Sequence, residues 1–201
     1  MTKSIWYKST DKWWEENIKD QIHVFDDVIH RDYQEEIKHN LLGDHDLFPW
    51  YFVTDVTAWE ESKGFQGRPA FSHVLVGDGS ASEQNKYFMN LVKKSCSKVK
   101  KEKSKVIQAR SFLQLPLGLK SEDPDSPHTD MIENHFVVLY YVLDSDGDTI
   151  IYNEQEESET YTIKERVTPK QGRVVIFDGR FYHTAEQPRH NTRCILNYDL
   201  L

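Results

Sequence analysis

Two histidines and an aspartate in the second half of the chain have the types and spacing for metal chemistry. His128-Thr129-Asp130 sets an imidazole and a carboxylate two residues apart, and His183 follows fifty-three residues after Asp130. Two imidazoles and one carboxylate can occupy three adjacent corners of an octahedral site and leave three open. Open corners are what an Fe(II) centre needs to hold a co-substrate and then O₂. Arg193 lies ten residues beyond His183. Its guanidinium is a fixed, charged fork that matches a carboxylate bidentately, so it is the candidate grip for the far end of a dicarboxylate co-substrate. An H-x-D pair alone is a weak signal in a chain with nine His and thirty-three acidic residues. The ordered set, with a distal His and then an Arg, carries the argument.

Those residues need rigid elements to hold them. From Val106 onward the chain reads as short β-like runs: Val106–Leu115, His135–Leu143, Thr149–Tyr152, Thr160–Val167, Arg173–Phe177 and Arg193–Leu200. Turn-forming stretches such as Asp144-Ser145-Asp146-Gly147 and Pro169 to Gly172 separate them. Many short strands at such spacing predict a sandwich or barrel. His128 then follows a loop and His183 follows a strand and the Asp178-Gly179 turn, so both fall at strand ends, where a jelly roll opens. The side-chain period of two puts Asn197 and Asp199 in line with Arg193, either on its inward face or on a polar edge.

The first half has a different texture. Ile22–Phe25, Tyr51–Val53 and Ser72–Val76 read as strands. Asp32 and Glu35 have capping-box spacing, with Tyr33, Ile37 and Leu41 on one helical face and Gly43 as the stop. Ser80 and Glu83 repeat the capping spacing, before a stripe of Tyr87, Phe88, Leu91, Val92, Cys96 and Val99. Lys93, Lys94, Lys98, Lys100 and Lys101 fall on the opposite side and read as a solvated face. Trp6, Tyr7, Trp13 and Trp14 make the N-terminus aromatic, as a lid or edge packed on the core.

Composition bounds the rest. The 201 residues suffice for one domain, residues 1–201, with a helix-rich supporting part over 1–105 and the β-rich part over 106–201. Aromatics at 12% argue for a packed core despite a mean hydropathy of −0.69. A formal net charge of −8 disfavours nucleic acid as a partner. Cys96 and Cys194 form no pattern and read as reduced thiols. No apolar h-region opens the chain and no segment approaches eighteen apolar residues, so a cytoplasmic location and no membrane partner are expected.

The residues His128-Thr129-Asp130, Tyr140-Tyr141-Val142-Leu143-Asp144, Gly147-Asp148-Thr149, Pro169-Lys170-Gln171-Gly172-Arg173, Phe177, His183 and Arg193 together resemble the Fe(II)/2-oxoglutarate-dependent oxygenases, most of all their prolyl 4-hydroxylase-like branch. The resemblance covers roughly residues 106–200, and the strand and helix at 22–42 look like that family's N-terminal element. It implies an α+β, mainly β fold: a double-stranded β-helix, or jelly roll, with N-terminal supporting helices. It implies Fe(II) held by His128, Asp130 and His183, with 2-oxoglutarate and O₂ as co-substrates and ascorbate as a candidate reductant that keeps the iron ferrous. Arg193 matches the family's basic residue and is preferred over Arg189, which sits in a turn. Tyr141 and Thr149 match positions beside the same carboxylate. Gln114 stands near where relatives place a co-substrate tyrosine. The family's double glycine is here Gly147-Asp148.

The activity so implied is hydroxylation coupled to decarboxylation of 2-oxoglutarate to succinate and CO₂, on a prolyl-type or other peptide or amino-acid substrate, or on a small molecule. Residues 59–79, polar and glycine-bearing at their start, and the aromatic N-terminus are expected to border the substrate mouth, with Trp59 and Phe65 as candidate contacts. The alternative is a cupin-like metal-binding sensor or binding module without turnover. Arg193 separates the two, since a plain metal module needs no dicarboxylate clamp.

Overall fold

Three α-helices and eleven strands form in the computed structural model, which describes residues 11–43, 48–54, 56, 68–118 and 124–201. The strands are β1 (Ile22–Phe25), β2 (Tyr51–Val53), β3 (Ala70–Gly77), β4 (Ser80–Ala81), β5 (Val106–Gln114), β6 (Phe136–Tyr141), β7 (Thr149–Tyr152), β8 (Ile163–Val167), β9 (Val174–Asp178), β10 (His183–Ala185) and β11 (Arg193–Leu200). Eight of them build one large sheet in the order β1-β9-β6-β11-β5-β3-β2, with β4 attached to β3. The remaining three form a small sheet, β10-β7-β8. Every pairing is antiparallel.

From β5 onward the chain alternates between these sheets. A bridge between His128 and His183 adds a fourth member beside β10. The chain then passes to β6 in the large sheet, β7 and β8 in the small one, β9 in the large, β10 in the small and β11 in the large. That alternation rolls two facing sheets into the expected double-stranded β-helix. The small strand β10 is absent from the sequence reading, because three residues, His183-Thr184-Ala185, are too few to show a period.

The centre of the large sheet is buried on both faces, whereas its edge strands carry exposed residues such as Tyr51, Phe52 and Val74. All six residues of β6 are buried, and period two divides them. Phe136, Val138 and Tyr140 face a core shared with the helices, while Val137, Leu139 and Tyr141 face the inside of the roll. The helices that cover the outer face are α1 (Asp11–Asn17), α2 (Arg31–Leu42) and α3 (Met89–Lys98). Ile37 and Leu41 from α2, and Leu91, Val92 and Cys96 from α3, pack there with Leu196 and Tyr198 of β11. Trp13 and Trp14 join the same core, and Trp13 donates to Val99 O at 2.9 Å, so they form a packed edge on the helix face rather than a border of the substrate mouth. Trp6 and Tyr7 lie outside the described residues.

Two helix starts differ from expectation. His30, not Asp32, caps α2: its Nδ1 accepts from the Asp32 N–H at 3.3 Å. Ser80 belongs to β4, and a single 3-10 turn at Glu83–Tyr87 precedes α3, whose cap is Phe88. Tyr87 is accordingly exposed rather than part of the buried stripe. The 1–105 part carries three helices and also β1, β2 and β3, all of which extend the large sheet. Among the described residues no helix is long and apolar enough to cross a membrane. Both cysteines are buried thiols, and burial pushes Cys96 up to about 12.

Candidate active site

Three side chains converge at the mouth of the roll. His183 opens β10, and His128 is bound to it as an antiparallel bridge: His128 N donates to His183 O at 3.0 Å and His183 N to His128 O at 2.9 Å. These two hydrogen bonds across the bridge bring the two imidazoles to a 4.8 Å centroid separation. Asp130 follows two residues later on the same inward side. His183 Nε2 lies 3.3 Å from Asp130 Oδ2, and His128 Nε2 lies 3.9 Å from Oδ1. The three donor atoms all lie within 4.8 Å of one another. Ligands about 2.1 Å from one octahedral ion stand roughly 3 Å apart at adjacent corners, so small adjustments would close the set on a cation.

The orientation of both rings is fixed from behind. His128 Nδ1 meets Ser126 O at 3.1 Å and His183 Nδ1 meets Phe181 O at 3.1 Å. A carbonyl only accepts, so each Nδ1 carries a proton and each Nε2 is the ring atom turned to the centre, where that of His183 meets the Asp130 carboxylate. Asp130 is held in turn. Asn197 Nδ2 donates to its Oδ2 at 3.2 Å, and Gln108 Nε2 donates to its backbone oxygen at 3.1 Å.

The electrostatics of the three groups suit a candidate cation site. Burial alone would raise the Asp130 carboxyl, but His183, His128 and the Asn197 amide outweigh it and hold Asp130 far below the usual carboxylate range. Burial and the neighbouring His183 push His128 below the ordinary imidazole value, although 47% of its side chain is reached through the open cavity. Burial works against a charged His183, and the Asp130 carboxylate overcomes it and raises that imidazole. An ionised carboxylate beside a lone-pair nitrogen is the donor chemistry that divalent cations require.

A second cluster stands beside the first. Arg193 is 4% exposed and opens β11 opposite Gln114 of β5. Its Nη1 donates to Gln114 Oε1 at 2.8 Å, its Nη2 to Thr149 Oγ1 at 2.9 Å and its Nε to Gly147 O at 3.0 Å. Tyr141 donates its hydroxyl to the same Thr149 oxygen at 2.7 Å, and burial pushes its phenol up to about 12. Gly147 is required by close approach: a Cβ there would meet Glu186 O at 2.7 Å and Arg193 Cδ at 3.2 Å. All four sequence-predicted residues around the basic clamp therefore come together. Among the described residues no carboxylate is ion-paired with Arg193, and burial pulls its guanidinium below the ordinary value.

Both clusters line one cavity of about 770 Å³. Tyr51, Val53, Val74 and Phe112 supply its outer apolar wall from β2, β3 and β5, and Val137, Leu139 and Ile195 its floor. Trp59 and Phe65, expected at this mouth, lie outside the described residues. Asn197 and Asp199 do share the inward face with Arg193 and line the cavity.

Three contributors escaped the sequence reading. His135 is fully buried with its Nε2 3.8 Å from Asp199 Oδ1, and burial followed by the Asp130 charge raises the Asp199 carboxyl well above its ordinary value. Gln108 bonds Asp199 Oδ2 at 2.9 Å besides Asp130. Arg68 donates to Asp125 Oδ1 at 2.6 Å in a buried pair. Alternation along β5 backward from Gln114 would have found Gln108. No local pattern points to His135 or to the Arg68–Asp125 pair.

No family model and no curated protein matches this sequence. Solved structures do match it in fold. A 2OG-Fe(II) oxygenase family oxidoreductase from Burkholderia pseudomallei superposes with a TM-score of 0.65 at 12% identity, over 96% of this chain and 91% of that one. A prolyl hydroxylase from Trichoplax adhaerens, in complex with a hypoxia inducible factor oxygen degradation domain peptide fragment, gives 0.61 at 14% identity, over 100% and 94%. The epimerase SnoN, in complex with Fe3+, alpha ketoglutarate and nogalamycin RO, gives 0.61 at 10% identity, over 94% and 81%. The chain thus has the fold of the Fe(II)/2-oxoglutarate oxygenases.

Proposed function

We propose that this protein is an Fe(II)- and 2-oxoglutarate-dependent oxygenase that hydroxylates a prolyl-type or other peptide or amino-acid substrate, or a small molecule. The observation that carries this reading is the pairing of two sites in one cavity. A two-His, one-Asp donor set stands beside a buried arginine whose described partners are neutral oxygens. A metal module without turnover has no use for the second of these.

His128, Asp130 and His183 would hold the iron through two Nε2 atoms and one carboxylate oxygen. When bound, Fe(II) with 2-oxoglutarate supplies the oxidising power, by coupling loss of CO₂ to activation of O₂. The chain's own work is positioning. The Ser126 and Phe181 carbonyls keep each Nδ1 protonated and each Nε2 turned toward the position of the ion. Asn197 and Gln108 fix Asp130. Arg193 would grip the distal carboxylate of 2-oxoglutarate, with Thr149 beside it in the cavity wall and held there by the Tyr141 hydroxyl. Gln114 holds one arm of the guanidinium fork. The Val137, Leu139 and Ile195 floor keeps water from the reacting carbon. The wall formed by Tyr51, Val53, Val74 and Phe112 receives the substrate.

The reading is tested by succinate release. Purified protein with Fe(II), ascorbate and 2-oxoglutarate is assayed across a library of peptides, free amino acids and small molecules. Succinate formed in step with a product sixteen mass units heavier is the expected result. Iron binding with no succinate from any substrate, and no 2-oxoglutarate binding, would favour the metal-binding module instead.

A further inference from the structure

The co-substrate pocket contains an acid that the mechanism above does not use. Asp125 lines the same cavity as Arg193, Gln114 and Thr149. Its backbone is zipped to β10: Asp125 N donates to Ala185 O at 2.9 Å, and Thr184 Oγ1 donates to Asp125 O at 2.5 Å. The backbone of Asp125 is therefore fixed by the strand pairing that also positions His128, and its carboxylate can move only by side-chain rotation. A carboxylate fixed here is a hazard to a dicarboxylate site, because it carries the charge and shape of the group that Arg193 is meant to bind. Its field does act on Arg193. Yet it is turned away: Arg68, just before β3, holds Asp125 Oδ1 at 2.6 Å, with side chains only 3% and 9% exposed. Arg68 is itself set by its backbone, whose carbonyl accepts from Val56 N at 3.1 Å.

We propose that Arg68 is a positioning residue of the co-substrate pocket: by sequestering Asp125 in a buried ion pair, it keeps that carboxylate off Arg193 and leaves the guanidinium open to a dicarboxylate. The inference rests on the reading of Arg193 as the 2-oxoglutarate clamp. It follows from charge accounting. With Arg68 present, the Asp125 charge is matched and Arg193 is left without a carboxylate partner among the described residues. Without Arg68, Asp125 and Arg193 neutralise one another, and a dianion enters a pocket that no longer attracts it. The same accounting gives opposite signs for the two partners. Loss of Arg68 weakens 2-oxoglutarate, whereas loss of the Asp125 charge leaves a more positive pocket and does not.

The test is 2-oxoglutarate affinity, measured by anaerobic titration of the Fe(II)-loaded protein, for wild type, Arg68→Met, Asp125→Asn and the double variant. Thermal unfolding is recorded beside each titration. Arg68→Met is expected to raise Kd about tenfold or more. Asp125→Asn should leave Kd unchanged or lower it, and the double variant should return to within a few-fold of wild type. A purely structural role for the pair would weaken all three variants together. The proposal is overturned if Asp125→Asn raises Kd as much as Arg68→Met, or if the double variant shows no recovery. Should Arg68→Met fail to fold, Asp125→Asn still decides, since a raised Kd contradicts the proposal. Failure of wild-type protein to bind 2-oxoglutarate would instead sink the underlying reading of Arg193.

Discussion

The two faces of the large sheet are made from alternate residues of the same strands, yet they do opposite work. On β11, Cys194, Leu196, Tyr198 and Leu200 face the helices and are buried among apolar neighbours. Arg193, Asn197 and Asp199 face the inside of the roll, with Ile195 as the only apolar residue between them. The outer face follows the ordinary rule that a sheet buries an apolar surface against helices. The inner face breaks that rule at the mouth, where it buries Arg193, Asp199, His135 and His183 and sets Asp130 and the half-exposed His128 beside them. Buried charge is costly unless it is paired or awaits a ligand. The difference teaches where stability and function reside: the helix-facing layer holds the fold, and the mouth of the inner layer is kept polar for a task.

That division can be broken most severely at Asp130. Asp130→Ala is expected to abolish iron-dependent turnover, because it removes the carboxylate that neutralises the metal and fixes one corner of the site. Neither apolar core includes Asp130, so the fold should persist. Circular dichroism with an iron titration checks both halves; retained turnover would show that Asp130 is not a ligand. A neighbouring pair on β11 sharpens the comparison. Leu196→Ala opens a cavity on the helix face and should cost about 2–5 kcal/mol of stability, read by denaturant unfolding, with iron affinity unchanged in the protein that remains folded. Asn197→Ala, one residue along and on the other face, should barely move stability. It should weaken iron by about 10–100-fold, through loss of the hydrogen bond that orients Asp130. Equal effects of the two substitutions on iron would dissolve the distinction between the faces.

The smallest effect is outside both layers. Arg173 at the start of β9 binds Asp26 with Nε and Nη2 at 2.7 and 3.1 Å. The Arg173 hydrogen bonds hold Asp26 below the usual carboxylate range against the opposing effect of burial, with Lys170 assisting. A depressed folded-state value means the pair stabilises above the ordinary carboxylate pKa and loses that contribution as pH falls through the lower, folded value. Asp26→Asn should therefore cost no more than about 1 kcal/mol at pH 7, since the carboxylate is 37% exposed and screened. The gap to wild type should close below about pH 4. A gap independent of pH would remove the charge from the explanation.

Legibility in the sequence follows the range of the interaction. The strands β5, β6, β7, β9 and β11 announce themselves through local period and turns, and the positions of His128, Asp130, His183 and Arg193 follow from order along those strands. The period of two put Asn197 and Asp199 in line with Arg193 but left inward face and polar edge open, and the cavity lining decides for the inward face. What was not legible is held by contacts between distant segments. Arg68 and Asp125 meet across fifty-seven residues, and Gln108 meets Asp199 across ninety-one. His135 looks like the first residue of a strand until Asp199 is folded against it. β10 is too short to carry a pattern, and it exists because β7 and the His128 bridge flank it. The His30 cap was hidden by the better-looking Asp32, since an imidazole acceptor is not among the usual capping groups.

The central claim is that the polar mouth of the inner face holds Fe(II) and 2-oxoglutarate together. It is tested most directly by titrating 2-oxoglutarate into the anaerobic Fe(II)-loaded protein and following the metal-to-ligand charge-transfer band, in wild type and in Arg193→Ala. A saturable band is expected in wild type. In Arg193→Ala the curve should shift by about thirty-fold or more, because truncating one partner of a buried charge pair costs roughly 2–5 kcal/mol. No band in wild type, or an Arg193→Ala curve that overlies it, would contradict the account.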